Sequence, residues 1–269
     1  MKTFRTRLFA ASALAFGAAA LTSVALAQDP PAQTPPADPS AQPASNDAAH
    51  TPAVHPAFVD LRRIRPVSGD AAAGRGKAAV CTACHGADGV AIAPTFPNLA
   101  GQHPDYLYWE LVEYHSGAVP ESPMTPLAST LTDADMRDLA HYFASLPAGK
   151  APASSDTPPP DQALLDKGQA LFMEGDSSKG IPPCQGCHGP DARGNPLANQ
   201  ADRNGYTPWA IYPSLRAQNA LYLQSRLTSF RDDKLHSSTG DMVMSGVGKQ
   251  LLDDETINAV STWLSTQSP

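Results

Sequence analysis

Cys81-Thr82-Ala83-Cys84-His85-Gly86 and Cys184-Gln185-Gly186-Cys187-His188-Gly189 are the two stretches on which the reading of this chain turns. They contain all four cysteines of the 269 residues. The sequence downstream of each repeats as well. Pro97-Asn98-Leu99-Ala100-Gly101-Gln102 parallels Pro213-Ser214-Leu215-Arg216-Ala217-Gln218, and Tyr106-Leu107 and Tyr222-Leu223 come at the same offset from each Gln. Met124-Thr125-Pro126-Leu127 parallels Met244-Ser245-Gly246-Val247, and Leu131-Thr132-Asp133 and Leu251-Leu252-Asp253 stand equally far from each Met. Matches in one order along a chain indicate duplication of one module. The second copy is longer: 39 positions separate His85 from Met124, and 56 separate His188 from Met244. Of the extra positions, 13 fall before Pro213, within residues 192–212.

Each copy has helical spacing and helix-start signals. Ser68 or Asp70 is placed to cap a helix over residues 71–80, and Asp161 one over 162–173. Residues 106–115 and 221–230 carry apolar side chains at three- and four-residue intervals. Thr132 or Asp133 precedes a terminal helix over 134–146, and Asp253 or Asp254 one over 255–265. Asp135 and Glu255 fall in first turns, where the helix dipole favours negative charge. Gly74-Arg75-Gly76 is too short for a nucleotide loop and reads as a helix packed closely on another. No segment alternates as a strand, so the expected fold class is all-α, as two tandem helical domains.

The Cys-x-x-Cys-His spacing fits covalent attachment of a c-type haem. One helical turn presents two sulfurs to the porphyrin edge for thioether bonds, and the adjacent His faces the iron from the proximal side. Cys81, Cys84 and His85 would hold one haem, and Cys184, Cys187 and His188 another. Disulfides, a thioredoxin-like dithiol and a Cys2His2-type zinc site are the competing readings. No strand-helix-strand pattern surrounds either motif, and a His next to a Cys is poorly spaced for a tetrahedron from one loop. The sixth iron ligand decides what such a haem does. Met124, between Pro123 and Pro126, reads as a ligand held by a stiff turn. In the second copy Met242 and Met244 compete, and only Met244 keeps the repeat register. Met136 and Met173 read as core residues. His103, His115, His141 and His236 read as solvated or packing residues, and His50 and His55 lie in a low-complexity stretch. Two six-coordinate irons leave no open site for bond chemistry. With no Ser/His/Asp order or paired carboxylates standing out either, no catalytic residue and no enzyme activity is expected.

The ends and the composition bound the rest. Lys2, Arg5 and Arg7 precede an uncharged run over 8–27 that closes on Ala25-Leu26-Ala27, the pattern of a cleaved export signal. The expected division is a signal peptide over 1–27, a Pro/Ala-rich disordered tether over 28–57, and a first domain over 58–147. A linker over 148–161 and a second domain over 162–269 complete it. The net charge is −7, and removal of the signal takes away three positive charges and no negative ones, leaving −10. That points away from nucleic acid, whose phosphates need a cationic face. Arg216, Arg226, Arg231 and Lys234 nevertheless form a basic stretch in the second copy, read as a docking face of its own sign.

With these residues in view, the sequence resembles the two-haem cytochromes c of the c4 type, a duplicated class I cytochrome c. The resemblance is carried by both Cys-x-x-Cys-His-Gly motifs and the Pro-x-Leu-x-x-Gln segments, by Met124 with Leu131-Thr132-Asp133, and by Met244 with Leu251-Leu252-Asp253. It covers about residues 68–267. It implies that the Pro97 and Pro213 carbonyls orient the proximal histidines, and that Tyr142 and Trp263 pack a terminal helix on the first helix. It also implies a periplasmic electron carrier in a respiratory chain, between a quinol-oxidising bc-type complex and a terminal oxidase or reductase. Redox proteins would be its partners, membrane complexes among them, met through peripheral membrane association. A two-haem oxidoreductase of thiosulfate or peroxide type, or a cytochrome subunit of a periplasmic dehydrogenase, is the alternative.

Overall fold

Aspartate caps open the first helix of both copies. In the computed structural model, which describes residues 58–119, 121–150 and 158–269, Asp70 accepts from the Ala72 and Ala73 amides at the start of α1 (Ala71–Lys77). Asp161 accepts from the Ala163 amide at the start of α6 (Gln162–Glu174). The first helix does not stop near residue 80. It breaks at Ala78 and resumes as α2 (Ala79–His85), which carries the first cysteine pair. Its counterpart α7 (Gln185–His188) is a single turn. Helices α3 (Pro104–His115), α4 (Met124–Ala128) and α5 (Asp133–Ser145) complete the first module. Helices α8 (Ala220–Arg231), α9 (Thr239–Gly248) and α10 (Asp254–Thr266) complete the second. Among the described residues there is no strand, only isolated bridges pairing Val59 with Ser238 and Asp176 with Ile181. None of these helices is long and apolar enough to cross a membrane. The expected signal, the tether with His50 and His55, and residues 151–157 of the expected linker lie outside the described residues.

The terminal helices start as their sequences dictate. Thr132 and Asp135 form a reciprocal capping box on α5, and Asp253 accepts from the Thr256 amide on α10. Each terminal helix then crosses the first helix of its own module, α5 over α1 and α10 over α6. The crossing points are glycines. A Cβ on Gly74 would sit 2.0 Å from the Asp138 carbonyl oxygen, and one on Gly168 would sit 2.1 Å from that of Ala259. Tyr142 and Trp263 lie at these same crossings, and Trp263 packs on Phe172 with ring centroids 5.1 Å apart.

Two segments tie the modules together. Residues 58–67 send Val59, Leu61, Ile64 and Val67 into the first module's core. The same stretch bonds to the second module: Val59 N–H to the Ser237 carbonyl at 2.8 Å, and Leu61 N–H to Thr239 Oγ1 at 2.9 Å. The insertion over 192–212 answers in the opposite direction. The Thr207 amide donates to the Ile64 carbonyl at 2.9 Å, and Ala210 is buried in the first module's core. The insertion therefore serves as an inter-module brace.

The expected basic docking face is absent. Arg226 lies half-buried between the modules, 3.3 Å from Glu110. Arg231 pairs with Asp232 and Asp254, Lys234 lies 3.8 Å from Asp232, and Arg216 donates to the Asp191 and Ser268 carbonyls. Proximity in sequence suggested a cluster, but only Arg226 and Arg231 lie on α8, Arg216 and Lys234 flank it, and each of the four meets an acceptor.

The two helix crossings are expected to behave alike. Gly74→Ala and Gly168→Ala should each cost about 1–3 kcal/mol or more, because backbone carbonyls cannot move aside as side chains do. Chemical denaturation checks this; stability within error of the parent for either variant contradicts it.

Candidate functional site

In each copy the second cysteine and the histidine close a helix on a glycine. Gly86 has φ +76° and Gly189 has φ +78°, a left-handed conformation that favours glycine, and an added Cβ would strike the Val90 or Gly194 carbonyl oxygen. This sharp stop leaves His85 and His188 as the last helical residues, both buried. No disulfide joins any of the four cysteines. Burial pushes the Cys184 thiol up to about 11 and raises Cys81 and Cys187 as well. A redox dithiol needs the opposite shift, toward thiolate. Among the described residues no three His, Cys, Asp or Glu side chains are grouped to hold a metal ion, so the zinc reading finds no ligand set.

The histidines are held alike. His85 Nδ1 lies 2.9 Å from the Pro97 carbonyl oxygen, and His188 Nδ1 lies 3.0 Å from that of Pro213. A carbonyl only accepts, so Nδ1 carries the proton and Nε2 presents a bare lone pair. Burial lowers both imidazole pKa values, which keeps the rings neutral. Phe96 and Tyr212, each just before its proline, meet the rings edge-on at 6.1 and 6.2 Å.

His188 Nε2 is buried with no hydrogen-bond partner. It faces an apolar cleft whose walls include Cys184, Cys187, His188, Met244, Leu223 and Phe230. A buried lone pair without a donor, two thiols and a thioether around one apolar slot fit an iron porphyrin. Met244 lines this slot, whereas Met242 is 59% exposed. In the first copy Cys81 and Cys84 lie on α2 with His85, and Met124, half-buried, is the first residue of α4. The segment read as a stiff turn is thus a short helix, because Pro123 and Pro126 fall at the cap and in the first turn, where a missing N–H costs nothing. Met136 is fully buried in α5 and Met173 packs against the second core, as expected. His103, His115 and His141 contact the carbonyls of Arg193, Ala128 and Val67, and His236 is exposed.

Beside the second slot lies an ionic cluster that the sequence did not disclose. Glu110 and Glu113 of α3 face Arg226 of α8 and Asp241 of α9. Ser237 Oγ is 2.6 Å from both Glu113 Oε2 and Asp241 Oδ2. One hydroxyl proton cannot serve two carboxylates, so a carboxyl proton must supply the other bond. Glu113 holds it: burial, then the charges of Glu110 and Asp241, push its carboxyl up to about 8.

The family comparisons agree with this geometry. The cytochrome c family model matches residues 71–147 and 165–268. A cytochrome c4 of Stutzerimonas stutzeri is 37% identical over 206 residues, covering 73% of this chain and 89% of that protein. A thiosulfate dehydrogenase electron acceptor of Thiomonas intermedia (strain K12) is 34% identical over 223 residues, covering 78% and 93%. The crystal structure of reduced recombinant cytochrome c4 from Pseudomonas stutzeri superposes with a TM-score of 0.61 at 37% identity, covering 74% of this chain and all of that one. The chain belongs to the cytochrome c family, as a duplicated, two-haem member of the cytochrome c4 type. Its cofactors are two covalently bound haems c.

The raised Glu113 pKa has a defined consequence for stability. The folded state keeps a proton that the unfolded chain, with an ordinary value of 4.5, releases. That contribution is complete below about pH 4.5 and is lost as pH rises through about 8. Relative to the parent, the Tm of Glu113→Gln should therefore climb between about pH 5 and about pH 9. Thermal melts across that range check it, and parallel curves for the two proteins contradict it.

Proposed function

We propose that this chain is a periplasmic electron carrier, with one haem held by Cys81, Cys84, His85 and Met124 and the other by Cys184, Cys187, His188 and Met244. The observation that carries this reading is the bare, buried Nε2 of His188 facing a slot that Met244 also lines. A haem held by a histidine and a methionine would supply one-electron storage at iron. The residues of the chain do the rest. The thiols tether, the prolines fix which histidine nitrogen is bare, and the apolar walls exclude water. Met124 and Met244, as ligands, would favour ferrous iron and so raise the potential.

Redox proteins serve as partners in this reading: a quinol-oxidising bc-type complex as donor and a terminal oxidase or reductase as acceptor. Export through the signal at residues 1–27 places the chain in the periplasm, with residues 28–57 as a tether and residues 148–161 linking domains over 58–147 and 162–269. Similarity to the Thiomonas thiosulfate dehydrogenase electron acceptor favours a second reading of the donor, a dehydrogenase with this chain as its electron acceptor.

Two measurements test the assignment. The chain should hold two haems that resist acid-acetone extraction, and Cys184→Ala combined with Cys187→Ala should leave one. A single haem in the parent, or extractable haem, overturns the reading. Met244→His should lower the second haem's potential by a sizeable part of the ~0.8 V span that axial ligands command, and Met124→His the first's. Met242→His should leave both in place, and a shift there instead of at Met244 reassigns the ligand.

A further inference from the structure

The Pro-x-Leu-x-x-Gln segments reach out of their own modules. Gln102 Oε1 accepts from the Ser214 N–H at 2.8 Å, and its Nε2 donates to the Ser214 carbonyl at 2.9 Å. Gln218 treats Asn98 identically, accepting from its N–H at 2.8 Å and donating to its carbonyl at 3.0 Å. Each carboxamide oxygen is fixed by a second donor, the amide of the next residue, His103 or Asn219, at 3.0 Å. Both glutamines are buried. The arrangement is reciprocal: each half grips the residue just after the other half's proline.

That residue supplies the other end of a critical peptide group. The Ser214 N–H and the Pro213 carbonyl belong to one planar, resonance-coupled amide, and the carbonyl accepts from His188 Nδ1 at 3.0 Å. A continuous chain therefore runs from Gln102 Oε1 through a single peptide unit to His188. Its mirror runs from Gln218 Oε1 through the Pro97–Asn98 peptide to His85. Hydrogen bonds in series polarise one another. Accepting from the amide N–H shifts charge toward the proline oxygen, makes it a stronger acceptor, and gives the histidine more imidazolate character. A partner on the far nitrogen of a metal-binding histidine raises its basicity as a ligand.

We propose that Gln102 and Gln218 are positioning residues that tune the proximal histidine of the opposite module, so that each half sets the oxidation equilibrium of the other half's haem. The inference rests on the two-haem reading above. A more basic histidine favours ferric iron, so each glutamine lowers the potential of the haem across the interface. Domain adhesion alone predicts no such crossing.

The test uses the full chain with both haems. Spectroelectrochemical titration gives two potentials, assigned to modules by NMR of the axial methionine signals. Gln102→Leu should raise the second haem's potential by roughly a two- to tenfold change in its oxidation equilibrium, the span of one hydrogen bond's net worth, and leave the first unchanged. Gln218→Leu should do the reverse. If either leucine variant fails to fold, Gln102→Asn and Gln218→Asn keep an amide that falls one carbon short and carry the same expected direction. Shifts confined to the mutated module, equal shifts in both, or no shift with both haems bound overturn the inference alone. A parent chain without two covalent haems overturns the reading beneath it and the inference together.

Discussion

The hydrogen bond from a histidine Nδ1 to a proline carbonyl, made twice, is the contact on which the arrangement depends. It settles the tautomer in both modules, and at His188 the other nitrogen stands bare in an apolar cleft. It needs a helix that ends abruptly, which Gly86 and Gly189 provide, and a loop that returns a proline to the ring, which the Gly-to-Pro segments provide. The crossings of α1 with α5 and of α6 with α10 then hold each loop against a fixed wall. Backbone contact at Gly74 and Gly168 makes those walls close and leaves little freedom for the helices to slide.

The chemistry was legible in the sequence because it sits in short, local spacings. Cys-x-x-Cys-His needs one turn, and a cap needs three residues, so Asp70, Asp161, Thr132 and Asp253 fall where their side chains predict. Register alone favoured Met244 over Met242; Met244 lines the cleft and Met242 is exposed. Short-range reading failed where prolines had two meanings: Pro123 and Pro126 open a helix as readily as they stiffen a turn. The contacts between modules were illegible for a different reason. Arg226 and Glu110 are 116 positions apart, and no local pattern announces such a pair. Gln102 and Gln218 did leave a signal, since a polar residue kept in register in both halves has a shared task, but sequence does not say that the task lies across the interface.

Duplication explains the symmetric half of that interface and not the rest. The paired glutamines obey a two-fold relation, each residue doing to the other copy what is done to its own. Residues 58–67 and the 13 extra positions within 192–212 fall outside the repeat. They add a one-sided seam in which Ala210 fills the first module's core and Thr207 bonds Ile64. The buried carboxyls and Arg226 lie in the same contact region, where low polarity keeps a proton on Glu113.

The seam formed by residues 58–67 also bears on biogenesis. Leu61 bonds to Thr239, 178 positions further along, so this bond cannot close until nearly the whole chain is present. Long-range contacts pay their loop-closure entropy before they return anything. During synthesis the first module therefore lacks Ala210 in its core, and Val59 lacks its Ser237 acceptor, until the second module is made. The second module supplies both, so the core of the N-terminal half is completed by residues of the C-terminal half.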